Sequence, residues 1–313
     1  MNHPVVTALI PIMLFIATGY LAGQRGWIRA AGVKDLSNLV FLVLAPALLF
    51  RTMGKVHLEQ LNFQPVAAYF LAAGLIFVGT LAWRGFNRLG AVLALANTFS
   101  NTVMIGIPLV GLTYGEAGLV TMFTLVSLHA LVLLTLATIV LELAVAREEA
   151  AQGKNTDRHM AATVLRAVRN GIIHPVPLPI IAGLLFAQTG LVIPEVIDKP
   201  LMLLGNALSP LALVLVGVTL AHNAIGGHLR GALELALTKN LIHPALVAPL
   251  GRAFGLSGVP FAVMILAASL PIGANVFLFS QRYAVAEEVV TAGVAVSTAL
   301  ALVTVPIVMF LIA

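Results

Sequence analysis

The stretch Asn97-Thr-Phe-Ser-Asn101-Thr-Val-Met-Ile-Gly106-Ile-Pro108 lies inside a long apolar segment, where a membrane helix would ordinarily run unbroken. A second stretch, Ser269-Leu-Pro271-Ile-Gly273-Ala-Asn275, interrupts an apolar segment in the other half of the chain. Proline removes a backbone donor and collides with the preceding turn, which frees carbonyls that lipid cannot satisfy. Such backbone survives at membrane depth only where protein covers it or where it lines a wet cavity. Two interruptions in corresponding places are the sequence pattern of a solute site in a membrane carrier.

Around these stretches the chain of 313 residues is 60% hydrophobic and only 9% charged, with a mean hydropathy of +1.04. A soluble domain carries about 25% charged residues, so the solvent of this chain is the bilayer. There is no cysteine, which excludes disulfides, thiolate chemistry and a Cys-based metal site. No His-Glu-x-x-His helix, Gly-x-Ser-x-Gly elbow or phosphate-binding Gly-x-x-x-x-Gly-Lys loop occurs, so no enzyme, metal or cofactor is expected. The N-terminus, Met1-Asn2-His3-Pro4, has no basic run, and the apolar stretch behind it fits a spanning helix of about 20 residues rather than a cleaved signal. The net charge of +5 does not point to nucleic acid, because the basic residues sit in loops between apolar segments.

The pattern predicts an all-α membrane protein with ten apolar segments, at 4–23, 36–55, 65–83, 89–113, 117–142, 171–190, 199–221, 231–251, 259–281 and 289–311. A charged stretch from Arg147 to Asn170 divides five from five. Placing the N-terminus outside puts twelve basic residues in inner loops, among them Arg25, Arg84, Arg88, Arg147 and Arg282, against four outside (Arg51, Lys55, Lys199, Arg252). By the positive-inside rule both termini are outside. An odd number of segments per half inverts the second half relative to the first. Internal similarity agrees: His3-Pro4-Val5 recurs as His174-Pro175-Val176, with Leu14/Leu185, Phe15/Phe186, Thr18/Thr189 and Gly19/Gly190 at the same offset. Val120-Thr121 and Val126-Ser127 likewise recur as Val290-Thr291 and Val296-Ser297. The expected architecture is two inverted five-helix repeats.

Three stretches carry a resemblance to a known family. Asn101-Thr-Val-Met-Ile-Gly-Ile-Pro108 resembles the Asn…Gly-x-Pro stretch of the auxin efflux carrier family, which includes bacterial malate/malonate permease-like members. Ser269-Leu-Pro271 through Tyr283 is similar to the family's Leu-Pro stretch and the aromatic-rich helix after it, and Leu208-Ser-Pro210 through Leu220 to its seventh helix. The family lies within the bile-acid, arsenite and riboflavin transporter superfamily. The resemblance spans essentially the whole chain. It implies scaffold helices 1–2 (residues 1–60) and 6–7 (171–230), and transport-domain helices 3–5 (61–146) and 8–10 (231–313), with a cytoplasmic linker at 147–170. It also implies that broken helices 4 and 9 cross at Pro108 and Pro271, and that a homodimer forms through the scaffold. The central loop is short where many plant members have a very long one, which favours a compact microbial carrier in a bacterial inner membrane and weakens auxin as the substrate.

Asn97 and Asn101 are four residues apart and share a helix face. They either line the substrate site or glue helices together through freed carbonyls. Asn275, four residues after Pro271, has the same two readings. Half-helix N-termini at the breaks offer free amides and partial positive charge, which suit a carboxylate. Ile105 or Met104 would pack on the apolar part of the substrate. Pro46, Ser209 and Pro210 would bring scaffold helices 2 and 7 to the site, or simply kink them. Lys239 falls about mid-bilayer, nine residues beyond Arg230. Its readings are neutralisation of a carboxylate, carriage of a coupling proton, snorkelling, or bonding to nearby carbonyls. His129 is a proton-relay candidate or a packed core histidine.

Segments four and nine hold no carboxylate, so a carboxylate-based sodium site lacks its anionic ligand there. The reading is therefore a secondary carrier exporting or exchanging small organic anions by an elevator motion, proton-coupled or uncoupled. The rivals are a sodium-coupled symporter of the bile-acid type and a non-transporting membrane sensor or intramembrane enzyme.

Overall fold

The structure, a computed structural model, describes residues 4–151, 165, 168–169, 175–222 and 228–312. Most of the expected 147–170 linker and both His3 and His174 lie outside the described residues. Apart from one isolated bridge between Ser100 and Ile272, the described residues form helices and connections only.

Helix α1 spans Pro4–Gln24. Next, α2 (Ala30–Leu39) runs through a π-turn at Val40–Leu44 into α3 (Ala45–Met53). Beyond them come α4 (Gln64–Arg84) and α5 (Arg88–Thr98), the latter capped by the Asn87 side chain accepting from the Gly90 amide at 2.8 Å. A π-turn at Thr102–Gly106 leads into α6 (Ile107–Ala151), which contains one non-helical residue, Gly115 at φ 60° and ψ −149°. That glycine separates the segments read as 89–113 and 117–142. Then follow α7 (Pro177–Gln188) and α8 (Glu195–His222). Helix α9 (Leu229–Leu237) passes through a third π-turn, Thr238–Ile242, into α10 (His243–Ala253). The last three are α11 (Gly258–Ser269), α12 (Asn275–Arg282) and α13 (Glu287–Ile312).

The π-turns have a common sequence cause. Each ends two residues before a proline: Pro46, Pro108 and Pro244. A proline cannot donate to the carbonyl four residues back, and its ring collides with that carbonyl. In all three cases that carbonyl belongs to the π-turn (Leu42, Met104, Asn240), where the widened ladder takes up the conflict without ending the segment.

Five stretches are long and apolar enough to cross a membrane: Ala30–Met53, Gln64–Arg84, Thr102–Ala150, Glu195–His222 and Glu287–Ile312. Shorter apolar helices are Leu9–Gln24, Pro177–Gln188 and Gly258–Ser269. Large side chains such as Val78, Leu185 and Leu311 stay mostly exposed on the outside, where lipid rather than water is their partner. The chain is an integral membrane protein.

Helices α1 and α8 approach so closely that a methyl on Gly19 would lie 1.9 Å from the Val214 carbonyl oxygen, and one on Gly217 2.0 Å from that of Ile16. Small residues at such crossings let backbones pack where no hydrophobic effect drives helices together. At one end, Arg51 of α3 grips Asp198 of α8 with two bonds of 2.8 and 2.9 Å. Elsewhere, Arg84 of α4 pairs with Glu234 of α9, and Tyr283 donates to Glu142 of α6 at 2.9 Å. These contacts tie α1 and α3 to α8, α4 to α9, and the end of α12 to α6.

Candidate functional site

The two interrupted stretches meet. The Asn101 amide donates to the Pro271 carbonyl at 2.9 Å, and the Gly273 amide to the Phe99 carbonyl at 2.9 Å. Glycine is required at 273, because a methyl there would sit 2.7 Å from the Phe99 ring and 3.1 Å from the Ser100 carbonyl oxygen. Each incoming helix ends by folding a hydroxyl back onto itself: Thr98 to Ala94 O at 2.9 Å, Ser269 to Leu266 O at 2.8 Å. On the first stretch, Asn101 restarts the chain by accepting from the Met104 amide at 3.3 Å. On the second, α12 begins with no side chain capping its first amides.

Side chains from neighbouring helices hold the junction. The Ser100 amide donates to His129 Nε2 at 3.3 Å, which leaves the ring proton on Nδ1. The buried Tyr69 hydroxyl stands 2.8 Å from Ser100 Oγ and 3.1 Å from His129 Nε2. The Ile272 amide donates to Ser297 Oγ at 3.1 Å. Beneath the second stretch, Lys239 Nζ donates to the carbonyls of Ala268 at 2.6 Å and Leu270 at 2.8 Å.

A cavity of about 250 Å³ opens beside this junction. Its polar wall is Ser100, Asn101, Thr102, His129 and Asn275, joined by Thr219 of α8 and Thr298 of α13. Its apolar wall includes Phe41, Phe99, Met104 and Val216. None of its lining residues is Asp, Glu, Lys or Arg. The volume falls below the roughly 300–1,000 Å³ of pockets for drug-sized ligands, so the occupant must be small. A larger groove of about 730 Å³ between α1, α8 and α13 is lined by Met13, Tyr20, Leu21 and other mostly apolar side chains, and offers no comparable polar chemistry.

Of the residues singled out in the sequence, Asn101, Asn275 and His129 share this cavity. Asn97 faces elsewhere, donating to Thr80 Oγ1 at 3.1 Å while its oxygen is buried without a hydrogen-bond partner. Ile105 is buried in the core and Met104 lines the cavity in its place. Pro271 contributes its carbonyl to the junction, whereas Pro108 is the second residue of α6; in the first stretch the contact is made by Phe99–Asn101 instead. Pro46, Ser209 and Pro210 lie within α3 and α8 but outside the cavity wall, where Val216 and Thr219 represent α8. Lys239 is fully buried below the junction and does not reach the cavity. Sequence reasoning passed over Ser100, Thr102 and Thr219, although all three lie within the quoted stretches. Tyr69 gave no local signal.

A helical membrane protein whose two interrupted segments meet beside a small polar cavity has the build of a carrier for small solutes. Residues 4–309 match the family described as "Membrane transport protein", and the chain belongs to this family, that of the auxin efflux carriers. The chain is 24% identical over 341 residues to "Auxin efflux carrier component 8" of Arabidopsis thaliana, an alignment covering 93% of each. It is 26% identical over 317 residues to the "Putative malonate transporter" of Rhizobium meliloti (strain 1021), covering 98% of this chain and 96% of that one. Membership of a transport family implies a small-molecule substrate and a lipid environment.

Proposed function

We propose that the protein is a secondary carrier that exports or exchanges small carboxylates of the size of malonate, binding them in the cavity beside the junction. The observation that carries this reading is the pair of backbone bonds between Asn101 and Pro271 and between Gly273 and Phe99, which bring Asn101 and Asn275 to one small cavity. A carboxylate there would rest on the side-chain amides of Asn101 and Asn275, at the positive end of α12, whose Val276 and Phe277 amides are already taken by the Gly273 and Ala274 carbonyls at 3.2 and 3.1 Å. Met104 and Phe99 would take the methylene part. A relative named for malonate supports a dicarboxylate of that size.

The same junction supports an architecture of ten helices in two inverted repeats whose broken helices cross. Tyr69 and Lys239 differ by 170 in number, and so do the residues whose carbonyls they approach, Thr98 and Ala268. In this reading α1–α3, α7 and α8 form a scaffold, through which a homodimer would associate. The remaining helices move as a unit, carrying the site across the bilayer of a bacterial inner membrane with both termini outside. The close α1–α8 packing and the Arg51–Asp198 pair would stiffen the scaffold, while Arg84–Glu234 and Tyr283–Glu142 would stiffen the moving part.

Counterflow of labelled malonate into proteoliposomes tests the site. Asn101→Ala combined with Asn275→Ala should abolish saturable flux, while Asn97→Ala should leave its KM near that of the parent protein. Unaltered flux in the double variant would sink the assignment.

A further inference from the structure

Among the described residues one lysine lies fully inside the protein. Lys239 has no exposed surface, and its Nζ donates to two carbonyl oxygens, those of Ala268 at 2.6 Å and Leu270 at 2.8 Å. Both oxygens belong to the end of α11, where the chain breaks at Pro271 and the last carbonyls lose their partners in the helix. That end carries the negative pole of the helix, equivalent to about half an elementary charge. Among the described residues no carboxylate pairs with Lys239. Its other polar neighbours are an asparagine, two histidines and a tyrosine. Asn240 spends its amide on the Ser297 carbonyl at 2.8 Å, and His243, one turn on, lies tilted at 51° against Tyr69 with ring centroids 4.9 Å apart, neither of its ring nitrogens hydrogen-bonded. From α4 and α6 come the Tyr69 hydroxyl and His129, whose Nε2 accepts the Ser100 amide.

In the other half, the position 170 residues earlier holds Tyr69. Its hydroxyl lies 3.5 Å from the Thr98 carbonyl and 2.8 Å from Ser100 Oγ. One broken helix is thus closed by a tyrosine hydroxyl and the other by a lysine Nζ. Neutral oxygens converging on the negative end of a helix, with no acid nearby, form a site whose chemistry suits a small hard cation or an ammonium.

We propose that the side chain of Lys239 is an ammonium and the resident cation of this site, tethered to the π-turn between α9 and α10 in the place a dissolved cation would otherwise occupy. A tethered cation cannot leave, so it closes the broken end of α11 throughout the transport cycle and no sodium is taken up or released. It also places one positive charge in the body that carries the anion, which lowers the cost of moving that anion through the bilayer. The transport consequence rests on the carrier reading above; the site itself does not.

Truncation supplies the test, because Lys239→Ala deletes three methylenes and the ammonium, a fragment matched by n-propylammonium. The variant, in the full chain, should melt at a lower temperature than the parent protein. Added n-propylammonium should restore the melting temperature, while n-propanol, of the same length but uncharged, should not. Malonate counterflow should fall by at least about tenfold, the equivalent of one lost charge-assisted hydrogen bond, and recover with the amine. The parent protein should melt and transport identically in sodium and in choline. Equal rescue by propanol would reduce Lys239 to a packing residue and overturn the proposal, as would sodium-dependent flux or melting in the parent. Should Lys239→Ala fail to fold, Lys239→Met keeps the volume without the charge, and parental stability in that variant would equally overturn it. If no malonate flux is seen at all, the carrier reading fails while amine-specific rescue of melting still decides the role of Lys239.

Discussion

Replacing Gly273 with alanine probes the junction at its tightest point. The new methyl would lie 2.7 Å from Phe99 Cδ1 and 3.1 Å from the Ser100 carbonyl oxygen. Carbon atoms pack at about 3.5–4.0 Å, so the Phe99 ring must retreat by roughly 1 Å. The His129 ring blocks one side, its centroid 4.5 Å away, and a retreat on the other would shrink the cavity that Phe99 lines. Where the ring does not yield, the two segments must part, which strains or breaks the bond from the Gly273 amide to the Phe99 carbonyl. Overpacking costs about 1–3 kcal/mol and a lost neutral hydrogen bond about 0.5–1.5, giving roughly 2–4 kcal/mol in all. Because Phe99 and Gly273 also form the cavity wall, part of this cost should appear as weaker malonate binding, by about tenfold or more. Thermal melting and counterflow would measure both. Gly74→Ala and Gly79→Ala serve as controls, since nothing lies within 4 Å of a methyl at either place. Within α4 they should stabilise by up to about 1 kcal/mol. Phe99→Ala should partly relieve Gly273→Ala when the two are combined, a coupling that separate sites would not show. If Gly273→Ala melts with the controls and binds normally, the junction is not the tight backbone crossing drawn from these distances.

Two further outcomes test other parts of the structure. Gly217→Ala would press a methyl to 2.0 Å from the Ile16 carbonyl oxygen and 2.6 Å from the Tyr20 amide nitrogen, both backbone atoms that cannot rotate away. The cost should reach or exceed the upper end of about 1–3 kcal/mol, read as a marked fall in melting temperature. Ala284 and Ala286 both hold positive φ, at 48° and 57°, in the turn after α12. Glycine at either place should therefore raise stability by about 1 kcal/mol, checked in the same melting assay.

The breaks were legible because proline and asparagine inside an apolar run contradict a lipid-facing helix. Asn101 and Asn275 could be placed by their spacing from the breaks alone. Pro108 misled because its own effect is local: the π-turn at Thr102–Gly106 absorbs it, and the contact with the second half falls earlier, at Phe99–Asn101. Pro46 and Pro244 follow the same rule, so a proline two residues past a π-turn marks a widened helix and not a break. Asn97 showed the limit of helix-face reasoning. It shares a face with Asn101 only if the helix continues, and the helix stops at Thr98 between them. Tyr69, Thr219 and Thr298 reach the junction or the cavity from other segments, and no short window of sequence records which side chains tertiary packing will bring together.

The tethered lysine has a consequence for how the chain is made. Ala268 and Leu270 follow Lys239 by 29 and 31 residues. At about 5–20 residues per second, the ribosome delivers those carbonyls roughly 1.5 to 6 seconds after the lysine itself. A lysine at the centre of an inserting segment is opposed by about 2.5–3.5 kcal/mol. The segment formed by α9 and α10 therefore enters the bilayer unwillingly on its own. It becomes stable there only when α11 arrives to receive the ammonium, so these two neighbouring segments must pass from translocon to lipid as a pair.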